Sequence, residues 1–189
     1  PYNTSREHTV VAREDGTVTI GGGKYTTYRR MANDVLNAAM KAKGLKRKER
    51  PQCPTEDALL PGAVGLDIEQ EQQSLMDRGI DEETAQWLVL AYGTRHERFS
   101  HNLGARLIES MPFHWAEIDY ALEEESATSV DDILTRRIPV FFEAPDQGLE
   151  IVDELADYLQ KTLGWDDGRR AQEVESYRAA VALSRRWKD

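Results

Sequence analysis

No disulfide can form within this chain. Cys53 is the single cysteine among 189 residues, which also removes any cysteine-based zinc site. That usage suits a reducing compartment, so the expectation is a cytoplasmic protein. No apolar run approaches the roughly 20 residues that a membrane-spanning helix needs. Positive charge is scarce as well: 24 Lys and Arg stand against 34 Asp and Glu, a formal net charge of −10. The imbalance is uneven along the chain. Residues 1–50 carry 11 basic against 5 acidic residues, a balance of +6, which leaves −16 for the remainder. A nucleic-acid partner demands a basic face, and the acidic majority of this chain excludes one. Only "KAKGLKRKER" (41–50) could meet an anionic lipid or phosphate, and a peripheral membrane contact is entertained there. Strand signals are the last scarcity, since none is convincing beyond residue 22.

What is present begins with β structure. "EHTVVARED" alternates, Asp15-Gly16 supplies a turn, and "TVTI" returns, so the first twenty residues read as a hairpin or two sequential strands. Two strands are marginal alone and call for a sheet to join. With Pro1 in place of an initiating methionine, the expectation is a piece of a longer polypeptide whose sheet lies elsewhere, or an open edge that pairs with a second copy in a homodimer. Tyr28, Met31, Ala32, Val35, Leu36, Ala39 and Met40 then form an apolar stripe at helical spacing that stops at Gly44. Pro51, Pro54 and Pro61 break the connector that follows, which is expected to pack through Leu59 and Leu60. Helix signals recur from there. "IEQEQQSLMDRG" ends at Gly79, Asp81 caps "EETAQWLVLAYG", and Thr94 with Glu97 forms a capping box opening "RHERFSHNL". Trp115, Ile118 and Leu122 share a side of the next helix, Ser129 caps "VDDILTRR", and two longer helical patterns close the chain. The fold class is therefore mainly α. A multi-helix domain at 65–189 follows a linker at 45–64 and an initial 1–44 segment of strands, glycine turn and helix.

The chemistry-bearing stretch is "TIGGGKYTTYRR". It is not a Walker loop, because GxxxxGK[ST] would need glycine at Val18 and a hydroxyl residue at Tyr25; a GxGxxG fingerprint is also absent. Glycines leading into a helix start nonetheless offer backbone N–H groups and the positive end of the helix dipole to an anion. The plainer alternative is a glycine-rich turn with Lys24 in water.

"SREHTVV…DGTVTIGGGKYTTYRRMA" resembles the end of the FAD-binding domain in FAD-dependent glycerol-3-phosphate dehydrogenases and the related α-glycerophosphate oxidases. The likeness continues through "LLPG" (59–62), "AYG" (91–93), "YALEEESATSVDDILTRR" (120–137) and "LGWDDGRRAQEVESY" (163–177), and so covers essentially the whole chain. The resemblance implies that the strands and first helix belong to an FAD-binding α/β domain, whose N-terminal FAD and substrate-binding portion is the natural partner. It implies that Gly22, Gly23, Lys24, Tyr25 and Thr26 face the flavin, and that Arg6 and Lys24 help hold the phosphate of glycerol 3-phosphate. Tyr25 stands where leucine is usual and Glu7 where aspartate is common. The implied parent oxidises sn-glycerol 3-phosphate to dihydroxyacetone phosphate and passes electrons to a quinone, or in the oxidase branch to oxygen, from the inner face of the cytoplasmic membrane. The isolated segment is expected to hold no catalytic residue of its own, to bind FAD weakly and to be inactive. A helical module docking a protein or membrane is the competing reading.

Other candidates yield less. His96 and His101 lie five apart, about 140° around a helix, so they share no metal-binding face, and no metal is expected. Glu123, Glu124 and Glu125 point in different directions from a helix flank. Arg136 and Arg137 suit the negative end of their helix and are expected to anchor packing.

Overall fold

A computed structural model describes residues 7–49 and 52–188. The chain divides into two compact units, residues 1–60 and 61–189, and each is described by itself. The expected site residue Arg6 lies outside the described residues.

In the first unit, strands β1 (His8–Ala12) and β2 (Val18–Gly22) form an antiparallel hairpin in the register His8↔Gly22, Val10↔Ile20, Ala12↔Val18. The turn is made by short polar side chains. The Asp15 carboxylate accepts from the Thr17 amide at 2.9 Å and the Thr17 hydroxyl at 2.6 Å, and these bonds hold its carboxyl below the usual range. Alternation sends His8, Val10, Val18 and Ile20 to the half-buried face. Helix α1 (Tyr28–Ala42) packs against both strands, and the Asp34 carboxylate lies 2.9 Å from His8 Nε2. Gly44, at φ +83°, follows the helix end. No residue of α1 is fully buried, and Tyr28 and Leu36 remain largely exposed. Leu59 and Leu60, expected to pack, are also exposed, because the connector passes through short 3₁₀ turns at Pro54–Glu56 and Pro61–Ala63.

The second unit holds α2 (Ile68–Asp77), α3 (Glu82–Tyr92), α4 (Trp115–Glu124), the single turn α5 (Val140–Glu143), α6 (Val152–Leu163) and α7 (Asp167–Arg185). The mainly α architecture follows from local signals. The Asp67, Asp81 and Asp166 carboxylates each accept the amide three residues on, and Gly79 and Gly164 end α2 and α6 at positive φ. One apolar cluster gathers Leu75, Leu88, Val89, Tyr92, Phe99 and Tyr120; a larger one gathers Phe113, Ile118, Ile133, Leu134, Leu155 and Tyr177 with their neighbours. Trp87 packs against both.

Two segments depart from expectation. Residues Gly93–Arg98 form a 3₁₀ helix, and the chain runs on to Leu103 without an α-helix. The imidazole of His96 is drawn inside, 3.2 Å from Glu71 Oε2 and 3.3 Å from the Ser100 hydroxyl, and Phe99 enters the core behind it. Residues Asp132–Arg137 wind as a π-helix. Ser129 accepts from the Asp132 amide at 3.0 Å at the helical start one residue on, but the wider coil buries the adjacent Ile133 and Leu134 together. Arg137 then donates to the Glu125 carbonyl at 2.7 Å and so ties this coil to the end of α4.

The start of the unit meets the end of α3 through two glycines. A Cβ on Gly62 would lie 2.5 Å from the Tyr92 carbonyl oxygen, and one on Gly93, at φ +56°, would collide with the Gly62 carbonyl. Gly93→Ala should therefore cost at least about 3 kcal/mol, combining left-handed strain with displacement of backbone. Gly65→Ala, at φ +72° with open space around its Cβ position, should cost only about 1 kcal/mol. Denaturant unfolding of both variants checks the contrast, and equal losses would refute it.

Candidate functional site

The segment from Gly22 to Thr26 is one continuous turn between β2 and α1. Gly22 and Gly23 adopt φ +80° and +88°, and the chain itself accounts for both. A Cβ on Gly22 would approach the Glu7 carbonyl to 2.7 Å, and one on Gly23 would lie 2.6 Å from the Met31 sulfur. Lys24 is extended, and a 3₁₀ turn over Tyr25–Thr27 leads into α1. The Thr27 amide closes that turn on the Lys24 carbonyl at 3.0 Å, which leaves the amides of Tyr25 and Thr26 without an acceptor inside it. Lys24, Tyr25 and Thr26 are exposed, Tyr25 at 90%, and the Tyr25 ring leans on Tyr28 at 6.0 Å. No acidic residue sits in the first turn of this helix start, while Lys24, Arg29 and Arg30 stand nearby. Among the described residues, the outward side of the turn is thus a positive end carrying amides without a partner in the turn and an ammonium group. It fits one edge of a planar, electron-accepting ring such as a flavin. The inward side is filled by the chain.

The other sequence candidates are structural in setting. The Arg136 guanidinium reaches Asp131 and Asp132, Arg98 reaches Glu124, and Glu125 is held by Arg137. Among the described residues no group of three His, Cys, Asp or Glu side chains is placed to hold a metal ion.

One buried group stands outside every sequence expectation. Glu117, in the first turn of α4, has no solvent exposure. Its Oε2 accepts from Trp87 Nε1 at 2.6 Å and from the Tyr92 hydroxyl at 2.8 Å, and its Oε1 accepts from the His114 amide at 2.7 Å. Burial pushes this carboxyl up to about 7, against the pull of the three donors, and the same surroundings raise the Tyr92 hydroxyl. The spacing His114…Glu117 carried a local hint, a backbone cap three residues from a helix start. Its partners on α3 had no local signal.

Comparison with known proteins bears on the whole chain. Residues 53–170 match the family model described as the C-terminal domain of alpha-glycerophosphate oxidase. Mitochondrial glycerol-3-phosphate dehydrogenase of Bos taurus is 32% identical over 184 residues, covering 92% of this chain and 25% of the relative. The Homo sapiens counterpart is 30% identical over the same share of each chain. A mitochondrial glycerol-3-phosphate dehydrogenase of Arabidopsis thaliana is 31% identical over 190 residues, 90% of this chain and 30% of the relative. The chain thus spans less than a third of the length of these relatives.

The buried carboxylate sets a pH dependence. Because the folded value of Glu117 lies above the ordinary 4.5, its folded form holds the proton more tightly than the unfolded form, and its contribution to stability falls as pH rises from about 4.5 through 7. Glu117→Gln removes that titration. Urea midpoints read by tryptophan fluorescence should show the difference, wild type minus variant, declining across this window; a flat difference would contradict it.

Proposed function

This chain belongs to the family of α-glycerophosphate oxidases and glycerol-3-phosphate dehydrogenases, and from that premise we propose that it forms the C-terminal part of an FAD-dependent enzyme oxidising sn-glycerol 3-phosphate to dihydroxyacetone phosphate. The observation that carries this reading is the open, positively charged outer side of the Lys24–Thr26 turn, in a chain 32% identical to a glycerol-3-phosphate dehydrogenase. When bound, FAD accepts the hydride released from the substrate's secondary alcohol carbon. The work of these residues is electrostatic. The amides of Tyr25 and Thr26 would donate to the carbonyl edge of the ring, and the Lys24 ammonium would add a full positive charge where negative charge accumulates. Gly22 and Gly23 shape the turn that aims them. Holding the substrate phosphate is assigned to Lys24 and, by the family resemblance, to Arg6, since a guanidinium's planar fork suits phosphate geometry.

The acceptor in this reading is a quinone, in line with the relatives' designation as dehydrogenases, and the enzyme works peripherally at the inner face of the cytoplasmic membrane. Oxygen is the acceptor in the alternative that the oxidase name of the family model suggests. The 189 residues alone lack a pyrophosphate-binding glycine fingerprint, so they are inert without the FAD and substrate-binding portion.

Two measurements test the reading. Adding FAD to the purified chain should leave the flavin's visible spectrum unshifted at micromolar protein, and tight binding by these residues would overturn the division of labour. In the complete enzyme, Lys24→Ala should slow anaerobic flavin reduction by about 10²-fold, the scale set by loss of one preorganised charge. An unchanged rate would refute the role given to Lys24.

A further inference from the structure

Two glycines shape the approach to Lys24, and one residue of β1 lies beneath both. A Cβ on Gly22 would meet the Glu7 carbonyl at 2.7 Å and the His8 Cα at 3.6 Å; one on Gly23 would lie 3.3 Å from the His8 Cβ and 2.6 Å from the Met31 sulfur. The turn is therefore seated on His8 from the strand side and on Met31 from the helix side. Strand pairing sets His8 opposite Gly22, so β1 and β2 hold each other at this point. Their position along α1 is a separate matter. The Met31 thioether sets a distance, but apolar contact is non-directional and lets one surface slide over the other. A hydrogen bond adds direction. Asp34 follows Met31 by three residues and so shares its side of α1, and its Oδ2 accepts from His8 Nε2 at 2.9 Å.

The setting of this bond suits positioning better than stabilisation. The His8 side chain is 18% exposed and that of Asp34 41%, and a pair so open to water contributes little to stability. What it fixes is the residue beneath both glycines to the helix that starts where the turn ends. Lys24 follows Gly23 directly, is extended, and bonds through its amide to the Thr27 hydroxyl at 3.3 Å, so a slide of β1 along α1 is taken up at Lys24. We propose that Asp34, acting through His8, is a positioning residue for this turn: it holds the Lys24 ammonium and the Tyr25 and Thr26 amides where the reduced ring gathers negative charge. The inference rests on the flavin reading of the turn and extends it to a residue ten positions further along the chain. Preorganised charge loses its effect steeply with misplacement, up to about 10²-fold in rate for about 1 Å.

The experiment has two arms, and the first needs no flavin. In the full 189-residue chain, Asp34→Ala should move the amide resonances of Gly23 and Lys24 by more than a linewidth. Asp34→Asn, whose amide oxygen still accepts from His8, should leave them near their wild-type positions. Unmoved resonances in Asp34→Ala overturn the proposal. The second arm uses the complete enzyme. Asp34→Ala should slow anaerobic flavin reduction about tenfold and displace the two-electron equilibrium about tenfold toward the oxidised ring, a fall in potential of about 30 mV. Asp34→Asn should stay within about twofold of wild type, and on a Lys24→Ala background Asp34→Ala should cost less than about threefold more, because the charge it aims is gone. A role in stability alone would lower the unfolding midpoint and leave the potential unmoved, and that result overturns the proposal. So does a loss that Asp34→Asn shares, which assigns the carboxylate charge instead of its bond to His8. Slow reduction in Lys24→Ala with wild-type reduction in Asp34→Ala refutes the tether and spares the flavin reading. Moved resonances with wild-type reduction in both variants remove the flavin reading, and the proposal with it.

Discussion

A carboxylate without solvent contact must be compensated in place, and the helical unit is arranged around the compensation of Glu117. Stripping water from a charged group costs several kcal/mol unless donors replace the lost solvation. Here they come from three positions: the Trp87 indole, the Tyr92 hydroxyl and the His114 amide. Two of the donors belong to α3 and the acceptor opens α4, so the register between these helices is fixed by polar geometry as well as by apolar contact. Trp87, held at its nitrogen, stacks edgewise on Phe113 at 4.9 Å and touches both apolar clusters. Tyr92, held at its hydroxyl, meets Phe99 and Tyr120 edgewise at 5.0 and 5.4 Å. The same residue ends α3, and its carbonyl lies against Gly62. A single acidic side chain thus links the packing of two clusters to the backbone crossing at the start of the unit.

The first unit rests on a different constraint. Its hairpin and α1 bury no residue completely among the described ones, and a two-stranded sheet contributes little alone. Order there comes from specific short-range contacts: the His8 to Asp34 bond, the Asp15 turn, and two glycines that let β2 close against Glu7 and Met31. What such a unit retains is surface. Tyr25, Tyr28, Leu36, Leu59 and Leu60 stay exposed while positive charge collects along α1 and the connector.

Features set by neighbours in sequence were legible before any coordinates. Asp15-Gly16 forced the hairpin, Asp81 capped α3, Gly79 ended α2 and the stripe from Tyr28 to Met40 made a helix, each through contacts within a few residues. That Gly22 to Thr26 form one turn between strand and helix was legible for the same reason. Thr94 and Glu97 show where this logic stops: their capping-box pattern was overruled once burial of His96 and Phe99 recruited the following chain. The π-wound coil at 132–137 was hidden because only the tertiary demand to bury both Ile133 and Leu134 selects it over an α-helix. Glu117 read as one more acidic helix residue, because its partners lie 25 and 30 positions away.

The turn at residues 22–26 separates two jobs that the sequence ran together. A glycine-rich approach to a ligand requires open space beside the glycines, but at Gly22 and Gly23 that space is taken by the Glu7 carbonyl and the Met31 thioether. Their task is to let the chain double back tightly. In the reading proposed for this turn, contact with a bound ring is left to the outward groups, the Lys24 ammonium and the amides of Tyr25 and Thr26. An amide is common to every residue except proline, so position 25 tolerates a change of side chain that position 23 does not. The tyrosine there, 90% exposed and leaning on Tyr28, is compatible with the proposed role, which draws on its backbone nitrogen alone.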